Sequence, residues 1–268
     1  MCLIALALAA HPRWPLVIAA NRDEDRRRPA APLARWHVPG GAELLSGRDL
    51  QDGGTWLGAT PTGRVAMLTN VRNGAAARGP RSRGELATGW LAGDAAAPGY
   101  LSAIDPAAYG GFNLITGDWR SGAWHYASNQ AALPHAPLPW QVLAPGIHGL
   151  SNAALNTPWP KTVALKERLT AALADAGDTA DLTARLLVAL RDTRRAPAAA
   201  LPATGVPAAV EAALSSAWID MPEAHYGTRC STVLVVERAA DGRDTLHASE
   251  ATWAPDAAPT VARYSLSW

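Results

Sequence analysis

The chain opens MCLIALALAAHPRWPLVIAANRDEDRRR (residues 1–28). How this stretch is read decides the fold. Two short apolar runs, 2–10 and 15–20, flank HPRW, whose His-Pro pair marks a turn. Each run has strand length and is rich in Leu, Ile and Val, which predicts a β-hairpin. The runs are nearly continuous in apolarity, so both strands need cover on both faces. A secretory leader wants positive charge before its apolar segment, and no Lys or Arg precedes Arg13. ALAA (7–10) resembles a small-residue cleavage site, but PLVIAA continues the apolar pattern. A retained hairpin is therefore expected.

Working outward, residues 24–53 are polar and rich in Pro and Gly, and read as a long surface loop. TWLGATPTGRVAMLTNV (55–71) predicts a second hairpin with TPTG as its turn. In SRGELATGWLAG (82–93), Ser82 and Glu85 have capping-box spacing, and Leu86 and Trp90 lie one helical turn apart. GFNLITGD (111–118) and GAWHYAS (122–128) read as paired strands. LPHAPLPWQVLAPG (133–146) reads as a connector. Helical periodicity covers 160–176 and 180–195, with Leu182, Leu186 and Leu190 as one stripe. A further helix is expected at 207–219 with Val210 and Leu214 inward. Strands return at 230–237, 244–250 and 261–268. Hairpins joined by short turns imply mostly antiparallel sheets. Strands apolar on both faces imply two stacked sheets with helices outside. The expected class is α+β, a four-layer αββα sandwich formed as one domain over 1–268.

Composition removes several function classes. At 268 residues and 49% hydrophobic, the chain can bury a sizeable core. A net charge of +1 argues against nucleic acid as a partner, because phosphate neutralisation needs a basic excess. No apolar stretch approaches the ~20 residues of a membrane span. Two cysteines are too few for a disulfide framework and have no zinc spacing, so a reducing, cytoplasmic setting is expected. His125, His135, His148, His225 and His247 lack metal or haem-attachment spacing, so no metal site and no required cofactor are expected.

Cys2 is the most nucleophilic side chain at the head of the first strand. Removal of Met1 would leave one residue bearing both a thiol and an α-amine. Their reference pKa values are ~8.5 and ~7.7–8.0, so the amine can act as base to its own thiol. The bland alternative is a small apolar residue at a strand start. The hairpin returns Asn21, Arg22, Asp23 and Glu24 near Cys2. Asp23 can anchor the ammonium, and Arg22 can lower the thiol pKa or hold an anion. The alternative is a charged strand end entering a loop. Arg72, Arg78, Arg81 and Arg83 form either a solvated loop or an anion site at a helix N-terminus.

MCLI…VIAANRDE, GGTWLG (53–58), LTNVRN (68–73), SRGEL (82–86), GFNL (111–114), GLSNAALNTPWPK (149–161) and YGTRCSTVLVV (226–236) together resemble the NRDE family, also called the transport and Golgi organisation protein 2 family. The likeness spans the chain in order. It implies an N-terminal-nucleophile hydrolase type of fold. More distantly the pattern is similar to cholylglycine hydrolases and penicillin V acylases. That resemblance implies Cys2 as nucleophile, Asp23 as its orienting acid, Asn70 and Asn152 in the oxyanion region, and Arg229 as a late arginine. It implies hydrolysis of linear, non-peptide amides. Those hydrolases place an Arg three residues before the Asp, where this chain has Ala20; Arg22 lies on the same strand face. Asn21, Arg22, Trp56, Arg72 and Tyr226 are the candidate substrate contacts. Without catalysis, the family resemblance implies a carrier of haem or acyl-CoA-like lipid anions. If Arg229 faces the site, simple alternation turns Cys230 away and argues against a Cys2–Cys230 bridge.

Overall fold

A computed structural model describes residues 2–74, 79–132, 136–254 and 257–268. In chain order the strands begin with β1 (Cys2–Leu8), β2 (Leu16–Asp25), β3 (Ala30–His37), β4 (Glu43–Asp49), β5 (Leu57–Ala59) and β6 (Arg64–Asn70). Then come α1 (Gly84–Ala92), α2 (Ala97–Ser102), β7 (Phe112–Asp118), β8 (Ala123–Ser128), β9 (Trp140–Val142) and β10 (Gly146–Leu150). The chain closes with α3 (Pro160–Asp175), α4 (Thr179–Leu190), α5 (Ala208–Ala213), β11 (Asp220–Met221), β12 (Tyr226–Arg238), β13 (Asp244–Thr252) and β14 (Thr260–Ser267). Among these strands every pairing is antiparallel.

The chain divides into two compact units. The first comprises Met1–Arg27, Pro145–Ser151 and Leu155–Ser267. Its sheet runs β10-β1-β2-β12-β13-β14, with β11 on β12. Leu3, Ala5, Val17, Ala19, Val233 and Val235 on one face pack with Leu165 and Leu169 of α3 and Leu182 and Leu186 of α4. This burial explains why the expected helical stripe forms a helix: its apolar side has a sheet to cover. Residues Leu3–Leu8 and Leu16–Asp23 are buried throughout, as the unalternating pattern requires.

The second unit comprises Arg28–Ala144, Asn152–Ala154 and Trp268. Its sheet runs β3-β4-β5-β6-β7-β8-β9. Leu86, Trp90 and Leu91 of α1 and Leu101 of α2 pack with Leu44, Ala66, Phe112 and Leu114 of the sheet. The indole of Trp90 donates to the Val65 carbonyl at 2.9 Å, which fixes α1 over the β6 strand.

Four expectations change. The segment expected as a surface loop contains the β3–β4 hairpin, turned by Gly40 and Gly41 at φ 104° and 108°. Its composition misleads because β3 is a sheet edge with only Leu33 buried. The 133–146 connector includes β9, paired to β8. The capping box is half formed: Glu85 accepts from the Ser82 N–H at 3.4 Å, but the helix starts one residue later, after Arg83, with no side-chain cap. The 207–219 helix stops at Ala213; Leu214 is buried and Val210 is half-buried.

Candidate active site

The first unit gathers Cys2, Arg22, Asp23, Tyr226 and Arg229 at one end of its central strands. In the β1–β2 register Cys2 stands directly opposite Arg22, and Leu3 opposite Asn21. Directly paired residues share a face, so Cys2 and Arg22 lie on the face away from α3 and α4. Strand β2 runs straight through NRDE to Asp25 because β12 pairs along it, Thr228 with Asp23 and Tyr226 with Asp25. The polar run is thus a strand interior, not a strand end opening into a loop.

Two groups hold Asp23. Thr228 Oγ1 donates to its carboxylate at 2.7 Å, and Tyr226 Oη donates to its backbone carbonyl at 2.8 Å. Asp23 is 1% exposed. Burial pushes its carboxyl pKa up; the Lys161 ammonium and the Thr228 hydrogen bond pull the other way. Burial likewise raises the Cys2 thiol, against the Arg22 guanidinium and a hydrogen bond from the Asp23 backbone. Burial, with the Asp23 and Glu24 carboxylates, holds Tyr226 protonated far above its ordinary range. Ser151 Oγ donates to the Cys2 carbonyl at 3.0 Å and ties the start of β1 to the end of β10.

Asn21 is placed differently. It faces the helices, donating to the Leu190 and Ala217 carbonyls at 2.8 and 2.9 Å and accepting from Ser231 Oγ at 2.6 Å. Its amide is a strut between β2 and the end of α4. Arg229 sits at an irregularity in β12 between Thr228 and Cys230, and its guanidinium donates to the Asp25 carbonyl at 2.8 Å. Desolvation, then the neighbouring Arg22 charge, lowers its pKa. The extra residue breaks simple alternation. Cys230 therefore lies opposite Arg22, on the same face as Cys2, and not turned away as alternation predicts. Both thiols are free. With β2 between them, their Cα atoms are about two strand spacings apart, ~9.5 Å, beyond disulfide reach.

Lys161 was not singled out by sequence reasoning. It is 4% exposed in the first turn of α3, and its charge acts on Asp23. A signal existed. It is one of two lysines in the chain, and a cation in a helix's first turn opposes the helix dipole, so something else must hold it there.

The second unit gathers Asn70, Arg72 and Asn152. Asn152 Nδ2 donates to the Asn70 backbone carbonyl at 2.9 Å and to Asn70 Oδ1 at 3.2 Å, and the Arg72 N–H donates to the Asn152 carbonyl at 2.8 Å. The Asn152 Nδ2 group is thus turned onto Asn70. Fixing Oδ1 orients the Asn70 amide and leaves its Nδ2 as the available donor of the pair. Trp56 is not in this group; its ring lies against Gly47, where any Cβ would meet it. The arginines of 72–83 do not converge: Arg81 pairs with Glu85 at 2.7 Å, and Arg83 donates to the Gly111 carbonyl at 3.2 Å. Arg78, like His135, lies outside the described residues. Among the described residues no cluster of three or more His, Cys, Asp or Glu could hold a metal, and no helix is long and apolar enough to cross a membrane.

The fold and the sequence both have known counterparts. The chain resembles the N-acylethanolamine-hydrolyzing acid amidase ortholog of Caenorhabditis elegans (TM-score 0.52, 13% identity, 88% of this chain and 92% of that one). It also resembles an arginine-substituted variant of conjugated bile acid hydrolase from Clostridium perfringens (TM-score 0.54, 8% identity, 100% and 96%). These likenesses show a mixed α+β fold of the N-terminal-nucleophile hydrolase kind. In sequence, the chain is 35% identical over 262 residues to the bovine Transport and Golgi organization protein 2 homolog, covering 91% of each. It is 38% identical over 173 residues to the human homolog, covering 60% of each. Residues 1–254 match the family described as Transport and Golgi organisation 2, and the chain belongs to that family.

Proposed function

We propose that the chain is a Cys-dependent hydrolase of linear, non-peptide amides. The observation that carries this reading is Cys2 standing opposite buried Arg22, with the Asp23 backbone on its thiol and the Asp23 carboxylate held by Thr228. Burial keeps the thiol protonated, so the nucleophile needs a base of its own. Removal of Met1 supplies one: an α-amine with a reference pKa of ~7.7–8.0 on the same residue. Asp23 anchors that group as ammonium, and Arg22 stabilises the thiolate. The thiolate attacks the amide carbonyl. An amide N–H donor to the oxyanion is worth ~3–4 kcal/mol in such sites, the role that the family resemblance gives Asn70 and Asn152. The α-ammonium protonates the leaving amine as the C–N bond breaks. Water, deprotonated by the same amine, then clears the thioester to a carboxylic acid and restores the thiol. The same fold carries an amidase of N-acylethanolamines and a conjugated bile acid hydrolase, which supports this reaction class.

The mass of the native chain, followed by reaction with a thiol electrophile and assay on N-acyl amides, tests this. The expected result is a chain lacking Met1, Cys2 alkylated well before buried Cys230, and turnover abolished by Cys2→Ala. Retained Met1, or equal reactivity of the two thiols, overturns it.

A second reading draws on the raised Cys2 pKa, which disfavours the thiolate. On this reading the family fold is a non-catalytic carrier of haem or acyl-CoA-like anions. Saturable haem or acyl-CoA binding that survives Cys2→Ala, with no amide turnover, would support it.

A further inference from the structure

A concave site lies in the first unit, between the N-terminal half of α3 and the segment that follows α4. The cleft has a volume of about 410 Å³, within the range of small-molecule sites. Four cations line it: Lys161 and Arg168 from α3, and Arg194 and Arg195 from the following segment. Glu167 and Asp192 are its acids, so the lining carries an excess of two positive charges. Ala164 and Ala189 give it a small apolar floor.

The wall is built, not incidental. The Trp218 N–H donates to the Asp192 carbonyl at 2.9 Å, and the Ala196 N–H to Ser215 Oγ at 2.9 Å. Asp192 sits between two arginines, taking Arg194 at 2.5 Å and Arg168 at 3.4 Å. One carboxylate thus fixes two guanidiniums and leaves their combined charge half neutralised. The first turn of α3 adds no acid and has no side-chain cap, so the positive end of its dipole reinforces the field.

We propose that this cleft binds a compact organic anion, a carboxylate or phosphate head on a short apolar body. The Asp192 carboxylate takes the Nε and Nη2 of Arg194 and the Nη2 of Arg168; the remaining guanidinium N–H groups, with Arg195, suit an oxyanion, and the alanine floor suits a few methylenes. The assignment does not depend on amide hydrolysis at Cys2. Lys161, which lines the cleft, also acts on Asp23, so an occupant and Asp23 share one cation.

Calorimetric titration with inorganic phosphate and with hexanoate tests the proposal, in the full chain at low and moderate salt. Saturable binding of either probe is expected, weakened at least tenfold in the double variant Arg194→Ser/Arg195→Ser and unchanged in Arg243→Ser, an exposed arginine elsewhere on the same unit. All three sites are surface-exposed, so folding is retained, and thermal melts verify it. Phosphate binding alone would assign the head group, and tighter hexanoate binding would assign the apolar floor. No saturable binding of either probe, or an equal loss in Arg243→Ser, would overturn the proposal as general surface charge. Amide turnover is not read, so failure here leaves the Cys2 reading intact.

Discussion

The hairpins β1–β2 and β3–β4 share a connection type and treat their charges in opposite ways. Strands β1 and β2 are interior to their sheet, and β2 carries Arg22 and Asp23 at 5% and 1% exposure. Strand β3 is an edge, and its pair with β4 places charges at the rim: Arg35 with Glu43 at 2.8 Å, and Arg28, just before β3, with Asp49 at 2.6 Å. Arg35 and Glu43 sit where water screens them and where charge discourages strand addition, while Arg28 and Asp49, mostly buried, are held by their direct pairing. The interior charges have no such excuse. Burial raises the Asp23 pKa, so its ionised form opposes folding at neutral pH. A destabilising charge retained in the central strands is a physical reason to seek a functional site there and not at the rim.

The largest expected effect sharpens that contrast at Lys161. Lys161→Met removes the cation that opposes the upward shift of Asp23 and leaves the carboxylate buried without it. Breaking a buried charge pair typically costs about 3 kcal/mol, and that loss is expected at neutral pH. The sign of its pH dependence follows from the raised pKa. Stability from a protonated Asp23 is complete below its unfolded value of 3.8 and is lost as pH rises through the higher folded value. The variant raises the folded value further, so its deficit is present at neutral pH and shrinks as pH falls toward 4. Thermal melts across that range measure it; a deficit constant with pH would mean that Lys161 serves packing alone.

The same contrast explains what could be read from the residues. β1 and β2 were legible because both faces are buried, and unbroken apolar runs of strand length have few other homes. β3 was not, because an edge strand needs only one buried side chain, Leu33, and its Pro and Arg residues look like loop. That NRDE continues as strand depends on Thr228 and Tyr226, some two hundred residues away, supplying its pairing. No local pattern carries that information. The irregularity at Arg229 is likewise invisible in YGTRCS, and it alone decides which face Cys230 occupies. The nearness of Cys2 to the NRDE segment was expected from hairpin geometry, whereas the Asn70–Asn152 pair joins residues 82 apart, and only a family likeness brought them together beforehand.

At the rim, Arg28 should matter more than its exposure class implies. Its guanidinium reaches Asp49 at 2.6 and 3.1 Å and Asp52 at 2.6 Å, and Asp49 also accepts the N–H groups of Gln51 and Asp52. The arginine thus closes the turn after β4. Arg28→Ala is expected to cost about 2 kcal/mol in denaturant unfolding, the range for hydrogen bonds to charged groups, with little dependence on pH between 6 and 8.

Arg35→Ala is the smallest effect and the sharpest control. Arg35 and Glu43 side chains are 45% and 28% exposed, and they meet diagonally across the outermost strand pair, where Glu43 stands opposite His37. A pair held in water loses most of its Coulomb attraction to screening and must still order two long side chains. Its removal is expected to change stability by no more than ~0.5 kcal/mol, and 0.5 M salt should erase even that. Chemical unfolding at low and high salt reads both numbers. A loss as large as that of Arg28→Ala would break the comparison, because a water-exposed edge pair would then weigh as much as the mostly buried Arg28–Asp49 pair, and burial would no longer rank these charges.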